Sequence, residues 1–491
     1  MKLGKFELDK IYCGDCEKLM QYIPSNKVDL IGTDPPYGIA FMGKKWDTFE
    51  PKGAYQHKKG FKQLPRHSTN AMMEFFVPVW KECLRILKPG GFAFIMCSSR
   101  QDVLMTQIQA LSEAGFNTGF TSIYWTYASG FPKAGNISKM VDKRECRKQL
   151  TKKLGKKPTK KEFEIAWKEF APIKEIRKNG TSPTGFEPKR GWHEHSMKQV
   201  YEIKERVSPQ AQKLEGSYAG FQPKPAVEII IVAMKPLSEK TYIDQALENR
   251  KGITWLDDCK MPYKSEKDLK SGTKLRNNKV PQTIYGGGKG IPPKPCRSDI
   301  KGRFPANLLV SDDVLNDGKI RKDGGIGGRG KHSRGNGYGF KPTGEVDKKK
   351  PKGQGSYSRY FDLDAWAVSK GVKDTFPFLI VPKASKSEKN RGLEEFKKTR
   401  IKGRDKGQDI RNVPYKTRPT PIKNIHPTVK PIKLMSYLII LGSREGDIIF
   451  DPFIGSGTTA IACKILNRRY LGFETNKEYI EIANARIKAE K

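Results

Sequence analysis

The chain has 491 residues, enough for roughly two to four units of about 150 residues each. Lys and Arg number 93 against 53 Asp and Glu, a formal net charge of +40, while 36% hydrophobic residues still supply a core, so a wholly disordered chain is excluded. No apolar run approaches the roughly 18 residues of a membrane span, and so large a cationic excess points to a polyanionic partner, nucleic acid before a membrane surface. The first eleven residues are mixed and charged and lack the apolar stretch of a signal peptide. A cytoplasmic protein with no membrane association is expected.

Up to about residue 135, strand and helix signals alternate. Residues 10–13 read as a short strand and 17–23 as a helix. Residues 28–32 form a buried apolar strand that ends at Thr33-Asp34-Pro35-Pro36-Tyr37. Helical spacing over 71–87 stops at the breaker Lys88-Pro89-Gly90-Gly91. A strand at 92–97, a helix at 101–114 closed by Gly115, and a strand at 120–125 follow. This alternation predicts a parallel α/β sheet.

From about residue 139 the character changes. Residues 143–178 are dense in Lys and Arg, with helical periodicity over 159–170, and 180–225 are rich in Gly, Pro and aromatics. Ala-Val-Glu-Ile-Ile-Ile-Val-Ala-Met at 226–234 reads as a buried strand returning to the sheet. Residues 264–300 and 318–358 are long Gly-, Lys- and Arg-rich loops, expected to be functional or to order on binding. The α/β pattern resumes with a helix at 432–441, a strand at 447–450, a helix at 458–466, a strand at 470–473 and a last amphipathic helix at 478–488.

Eight cysteines are present. Cys13 and Cys16 form a lone CxxC without the second pair that a zinc site needs, and Cys83, Cys97 and Cys463 lie in apolar runs as core thiols. No metal site is expected.

Near the C-terminus, Asp451-Pro452-Phe453-Ile454-Gly455-Ser456-Gly457-Thr458-Thr459 joins a strand to a helix. Gly455 and Gly457 let a ligand approach the backbone, and Glu474 lies about 20 residues on, where an acid can accept both hydroxyls of a ribose. No Lys-Ser/Thr pair follows to hold phosphates. An adenosine-bearing ligand without phosphates fits better, and S-adenosylmethionine is one; the plain alternative is a structural strand–Gly–helix turn.

At the other end, Asp34-Pro35-Pro36-Tyr37 follows a buried strand, at the carboxyl edge where α/β sites form. The exocyclic amine of adenine is a poor nucleophile because its lone pair is delocalised into the ring. The Asp34 carboxylate and the Pro35 carbonyl can accept both N–H groups and free that lone pair for attack on a methyl. Prolines fix the backbone, and Tyr37 offers a face for a base extruded from a duplex. The bland alternative is a Pro-Pro turn.

In this pairing of motifs the chain resembles the amino-methyltransferases of the N6-adenine and N4-cytosine DNA methylase family. It resembles the β arrangement, in which the catalytic tetrapeptide precedes a target-recognition insert and the cofactor motif comes last. Gly14-Asp15 and His426-Pro427-Thr428-Val429-Lys430-Pro431 match that family as well. The resemblance implies that Asp15 contacts the cofactor adenine, Thr428 and Lys430 its methionine end, and Glu474 its ribose, with Asp451, Phe453, Gly455, Gly457 and Thr458 forming the rest of the cradle. It implies a circularly permuted Rossmann-like S-adenosylmethionine-dependent methyltransferase sheet with a large basic insert. The units are then 1–138 (catalytic half), 139–225 (basic insert), 226–236 (sheet strand), 237–420 (second, loop-rich insert) and 421–491 (cofactor half). Asp at the first tetrapeptide position is commoner in the adenine branch, so site-specific methylation of adenine N6 in double-stranded DNA is expected.

The alternatives are an N4-cytosine enzyme, an RNA methyltransferase, and a catalytically inactive DNA-binding protein on the same scaffold. Family members are often dimers, so a homodimer enters by analogy, and any cognate restriction endonuclease would be a separate chain. In the insert, Trp192, His193 and His195 serve base readout or belong to a solvated loop; the 143–178 run is favoured as a phosphate contact over a merely solvated helical face.

Overall fold

A computed structural model describes residues 1–38, 49, 68–126, 135–178, 200–221, 227–263, 302–309, 321–322, 354–355, 366, 370, 384, 386–396, 423–426 and 428–490. Trp192, His193, His195, the 264–300 stretch and most of 318–358 lie outside these residues. The chain divides into two units, Met1–Ser129 with Ala226–Lys491, and Gly130–Pro225.

The first unit is built on an eight-stranded sheet. Its early strands are β1 (Lys10–Cys13), β2 (Val28–Thr33), β3 (Leu87–Ser98) and β4 (Ile123–Thr126), with helices α1 (Cys16–Met20), α2 (Ser68–Ile86) and α3 (Gln101–Ala114) between them. In chain order the second unit then contributes α4 (Ile137–Leu154), α5 (Lys160–Phe170), the hairpin β5 (Ile173–Lys178) and β6 (Val200–Lys204), and α6 (Pro209–Lys213). The first unit resumes with β7 (Val227–Met234), α7 (Tyr242–Asn249), β8 (Leu308–Leu309), α8 (Ile432–Gly442), β9 (Ile448–Asp451), α9 (Thr458–Ile465), β10 (Arg469–Glu474) and α10 (Lys477–Ala489).

The sheet order is β8-β4-β7-β3-β2-β9-β10-β1. The two ends of the chain therefore meet in its middle: β2 and β9 are parallel neighbours, with Leu30 opposite Ile449 and Ile31 opposite Phe450. This is the permuted α/β arrangement that the motif order implies.

Alternation along the strands sorts side chains onto two faces. Leu30, Phe92, Phe94 and Ile449 pack on one face under α8 and α9, while Ile31, Ala93, Ile95, Ile448 and Phe450 pack on the other against α2 and α3. α2 forms because Phe76, Val79, Trp80, Cys83 and Ile86 recur at helical spacing, and all are fully buried. α8 buries every residue but the half-buried Lys433, so its sequence is mostly apolar.

One expectation needs correction. The sheet is not purely parallel: β7 runs antiparallel to both β3 and β4. Val227 pairs with Thr126, so the chain re-enters the sheet at the edge where it left β4 and runs back the other way. As expected, α2 stops at Ile86, just ahead of the breaker Lys88-Pro89-Gly90-Gly91, and the breaker itself lies inside the next strand. β3 begins at Leu87, and a register irregularity opposite Val28 and Leu30 absorbs the turn. Gly90 has φ +71°, and a Cβ there would lie 2.6 Å from the Gly252 nitrogen.

A buried ion cluster links β2 to the start of β9. Lys251 Nζ sits 2.8 Å from Asp29 Oδ1 and 2.9 Å from Asp447 Oδ2, and Lys88 Nζ reaches Asp29 at 2.7 Å. Burial pushes the Asp29 carboxyl up, but Lys251, the Ile448 amide and Lys88 outweigh it and hold it below the ordinary carboxylate value.

In the second unit, Asn136 caps α4, and Thr159 with Glu162 forms a reciprocal capping box on α5. Asp142 is buried and accepts from the Val207 amide and from the amide and hydroxyl of Ser208. Phe163, Trp167 and Phe170 stack along α5; Arg147 lies over Phe163, and Lys143 and Lys204 over Trp167. Arg144, Lys148, Lys152, Lys153, Lys156 and Lys157 remain exposed. No helix among the described residues is long and apolar enough to cross a membrane.

Candidate active site

Parallel strands end in turns at one edge of a sheet, and the two motifs meet there. Asp34 follows the last residue of β2 and is half-buried. The Tyr37 hydroxyl donates to Asp34 Oδ1 at 2.8 Å, and Lys430 Nζ donates to Oδ2 at 2.5 Å. Pro35 is buried between Asp34 and the half-buried Pro36. The Lys430 ammonium lies 5.6 Å from the centre of the Tyr37 ring and 3.3 Å from Glu228 Oε2. Burial opposes the charge on Lys430, but Asp34 and Glu228 outweigh it and hold its pKa above the ordinary lysine value. Burial, then the neighbouring Asp34 carboxylate, pushes the Tyr37 phenol up.

One residue before Asp34, the Thr33 hydroxyl donates to Asp451 Oδ1 at 2.6 Å. Asp451 Oδ2 accepts from the Thr459 hydroxyl at 2.6 Å, and Oδ1 also accepts from the Phe453 amide at 3.0 Å. Both carboxylate oxygens of Asp451 are thus engaged inside the protein. Burial raises its pKa to about 6, against the opposing pull of these hydrogen bonds. Asp451 shapes the turn between β9 and α9 and ties it to the strand that carries Asp34. Phe453 packs near Phe75, Phe76 and Trp80.

The glycines of that turn are required by its geometry. Gly455 has φ +52°, and a Cβ there would lie 2.6 Å from His426 Nε2; Gly457 has φ +80°, and a Cβ would lie 2.9 Å from that of Ala483. His426 packs edge-on against Tyr479, with its Nδ1 accepting from the Thr428 amide at 3.4 Å. Thr458 opens α9, and Arg486 braces the turn from behind, donating to the Ser456 carbonyl and, at 3.0 Å, to its hydroxyl.

Glu474 ends β10. Its Oε1 accepts from the Asn476 amide at 2.9 Å, and burial raises its pKa. Its carbonyl accepts from the Gly14 amide at 3.0 Å, which brings Asp15 alongside. Asp15 is exposed and caps α1 by accepting from the Glu17 amide at 3.0 Å.

The expected site residues thus fall into two connected groups at one sheet edge. Asp34, Pro35, Pro36, Tyr37 and Lys430 form one; Asp451, Phe453, Gly455, Gly457, Thr458 and Glu474, with Thr428 and Asp15 at its margins, form the other. Lys430 stands on the Asp34 side. His426, from the family-matched segment, joins them, as do Glu228, Thr33, Thr459 and Arg486, to which the sequence motifs assign no role. Glu228 alone carries a signal there, as the single acid in an apolar strand. A tight glycine turn that excludes Cβ atoms, followed by an acid at the end of the next strand, fits the adenosine moiety of S-adenosylmethionine.

Among characterised relatives, a 65-residue stretch is 49% identical to the type II methyltransferase M2.DpnII of Streptococcus pneumoniae, covering 13% of this chain and 24% of that protein. A stretch of the same length is 52% identical to M.HpaI of Haemophilus parainfluenzae, covering 13% and 21%. The chain thus spans only about a quarter of the length of the relatives it matches. Among solved structures, the PvuII DNA methyltransferase (cytosine-N4-specific) aligns with 99% of this chain and 90% of its own at 13% identity and a TM-score of 0.37. The M1.HpyAVI complex with SAM aligns over 97% and 98% at 15% identity and a TM-score of 0.32. The sequence profile of the N6/N4 DNA methylases matches residues 28–485, a span that contains both groups of site residues apart from Asp15. The chain belongs to this DNA methylase family.

Proposed function

We propose that the protein is a site-specific methyltransferase acting in the cytoplasm on N6 of adenine in double-stranded DNA. The observation that carries this reading is the hydrogen-bonded line Thr33, Asp451, Thr459, which ties the residue next to Asp34 to the glycine turn. Asp34 and the Pro35 carbonyl accept the two N–H groups of the target amine and localise its lone pair. Tyr37 and Lys430 fix the Asp34 carboxylate. Gly455, Gly457 and Glu474 hold the nucleoside end of the cofactor, and S-adenosylmethionine supplies an electrophilic sulfonium methyl when bound. Asp, rather than Ser, at position 34 favours adenine over cytosine. The exposed cations of α4 and the α4–α5 turn suit the phosphate backbone; target recognition is assigned to the two inserts.

Purified protein incubated with methyl-labelled cofactor and either duplex DNA or RNA, followed by nucleoside analysis, tests this reading. Label in N6-methyldeoxyadenosine from DNA is expected. Label in N4-methylcytosine would correct the base, and label only in RNA would overturn the substrate.

A further inference from the structure

Glu228 is the one charged residue in β7, a strand whose other members are apolar. Because β7 runs antiparallel, its first residues lie at the edge where the parallel strands end. The Glu228 Cα pairs with Ser98, the last residue of β3, and with Trp125 near the end of β4. Its side chain is 12% exposed, and its carboxylate is 3.3 Å from Lys430 Nζ, whose side chain is 9% exposed. A buried carboxylate in such a strand is costly unless paired. Lys430 therefore sits between two carboxylates, Asp34 at 2.5 Å and Glu228 at 3.3 Å.

We propose that Glu228 is a positioning residue for methyl transfer: it is the standing counter-ion of Lys430, which keeps that ammonium paired while Asp34 engages the target amine. The inference rests on the amino-methyltransferase reading above.

The charge count gives the reason. As the amine nitrogen bonds the methyl carbon, the carbon–sulfur pair returns to sulfur and the positive charge moves to nitrogen. The surplus amine proton must then leave. Lys430 is already protonated and cannot take it; the adjacent acceptor is Asp34. Once Asp34 has taken the proton the methylated amine is neutral, and Lys430 would be an unpaired buried cation if Glu228 were absent. With Glu228, the ammonium stays neutralised through the step. Before the step, the trio of two carboxylates and one ammonium carries a net charge of −1, which favours the cationic nitrogen of the transition state.

The test compares wild type, Glu228→Gln and Glu228→Asp in single-turnover transfer to DNA and in equilibrium binding of S-adenosylmethionine, with circular dichroism as the folding control. Glu228→Gln is expected to slow transfer roughly a hundredfold while changing cofactor affinity less than about threefold. Glu228→Asp keeps the charge on a shorter arm and is expected to transfer at between about a half and about a tenth of the wild-type rate, well above Glu228→Gln, which a purely structural role would not require. A Glu228→Gln rate within about twofold of wild type would overturn the proposal. So would a loss of cofactor affinity that accounts for the whole loss of rate. Should Glu228→Gln misfold, Glu228→Asp decides alone: wild-type cofactor affinity with a rate between a half and a tenth of wild type supports the role, and any other result counts against it. Wild-type protein that transfers no methyl to DNA would remove the parent reading and this inference together.

Discussion

Lys430 Nζ donates to Asp34 Oδ2 at 2.5 Å, joining residues 396 positions apart in the chain. The contact exists because β2 and β9 are neighbours in the sheet, so the turns that follow β2 and precede α8 converge at one edge. It places a fixed positive charge beside the carboxylate proposed to bind the target amine.

That pairing sets a pH expectation. The Lys430 pKa is raised in the folded protein, so its stabilising contribution is complete below the unfolded lysine value of about 10.4 and is lost only as pH rises through the folded value. Lys430 should therefore contribute no limb to a rate–pH profile between about pH 6 and 9. Lys430→Met leaves Asp34 and Glu228 facing each other and should lower the transfer rate by about tenfold or more at every pH in that window. A profile in which wild type and Lys430→Met differ only at its alkaline end would contradict this.

Asp451 behaves in the opposite sense. Its folded pKa of about 6 lies above the ordinary aspartate value of 3.8, so the folded state binds the proton more tightly. Below about pH 4 it adds no pH-linked penalty. As pH rises through about 6 its ionisation comes to cost about 3 kcal/mol. Asp451→Asn removes this dependence. Chemical denaturation should show the variant gaining on wild type by about 2–3 kcal/mol between about pH 4.5 and 7.5. A constant difference across that range would show that the Asp451 carboxyl titrates normally.

The glycine turn gives a binding prediction. Gly455→Ala places a Cβ against His426 in a left-handed backbone, which costs about 1–2 kcal/mol before any ligand is considered. Affinity for S-adenosylmethionine, measured calorimetrically, should fall by about tenfold or more, a drop of at least about 1.4 kcal/mol in binding free energy. Unchanged affinity would remove the turn from the cofactor site.

These sites differ in how plainly they can be read from sequence. β2, β9 and β10 are apolar runs with sharp ends, and the glycines and Glu474 follow at fixed spacing, so the two motifs are legible. The direction of β7 is not, because an apolar run carries no polarity. α4 escapes a periodicity search because the residues it buries are Ser138, Asp142 and Cys146 rather than an apolar stripe. The Lys430 partners depend on strand order, which no local pattern encodes.

The buried cluster under the sheet supplies a stability prediction independent of chemistry. Lys251→Met removes the buried ammonium between Asp29 and Asp447, leaving Lys88 as the one cation on Asp29, and should cost about 3 kcal/mol of folding free energy. Its effect should diminish on acidification, as the Asp29 carboxyl becomes neutral. A loss under about 1 kcal/mol at neutral pH would mean that water reaches the cluster.

The basic helices should show in the salt response. Replacing Lys148, Lys152 and Lys153 with Gln should weaken DNA binding uniformly across sequences. Each phosphate that these lysines neutralise should account for roughly one unit of the log–log salt slope, so the slope of the variant should be correspondingly shallower. A wild-type affinity that is flat in salt would exclude phosphate binding by this surface.

The most direct measurement is single-molecule sequencing of DNA from cells that express the protein, beside cells that express Asp34→Ala. The account predicts N6-methyladenine at one short motif in the first and none in the second. An unmodified genome in the first, or equal methylation in both, would contradict it.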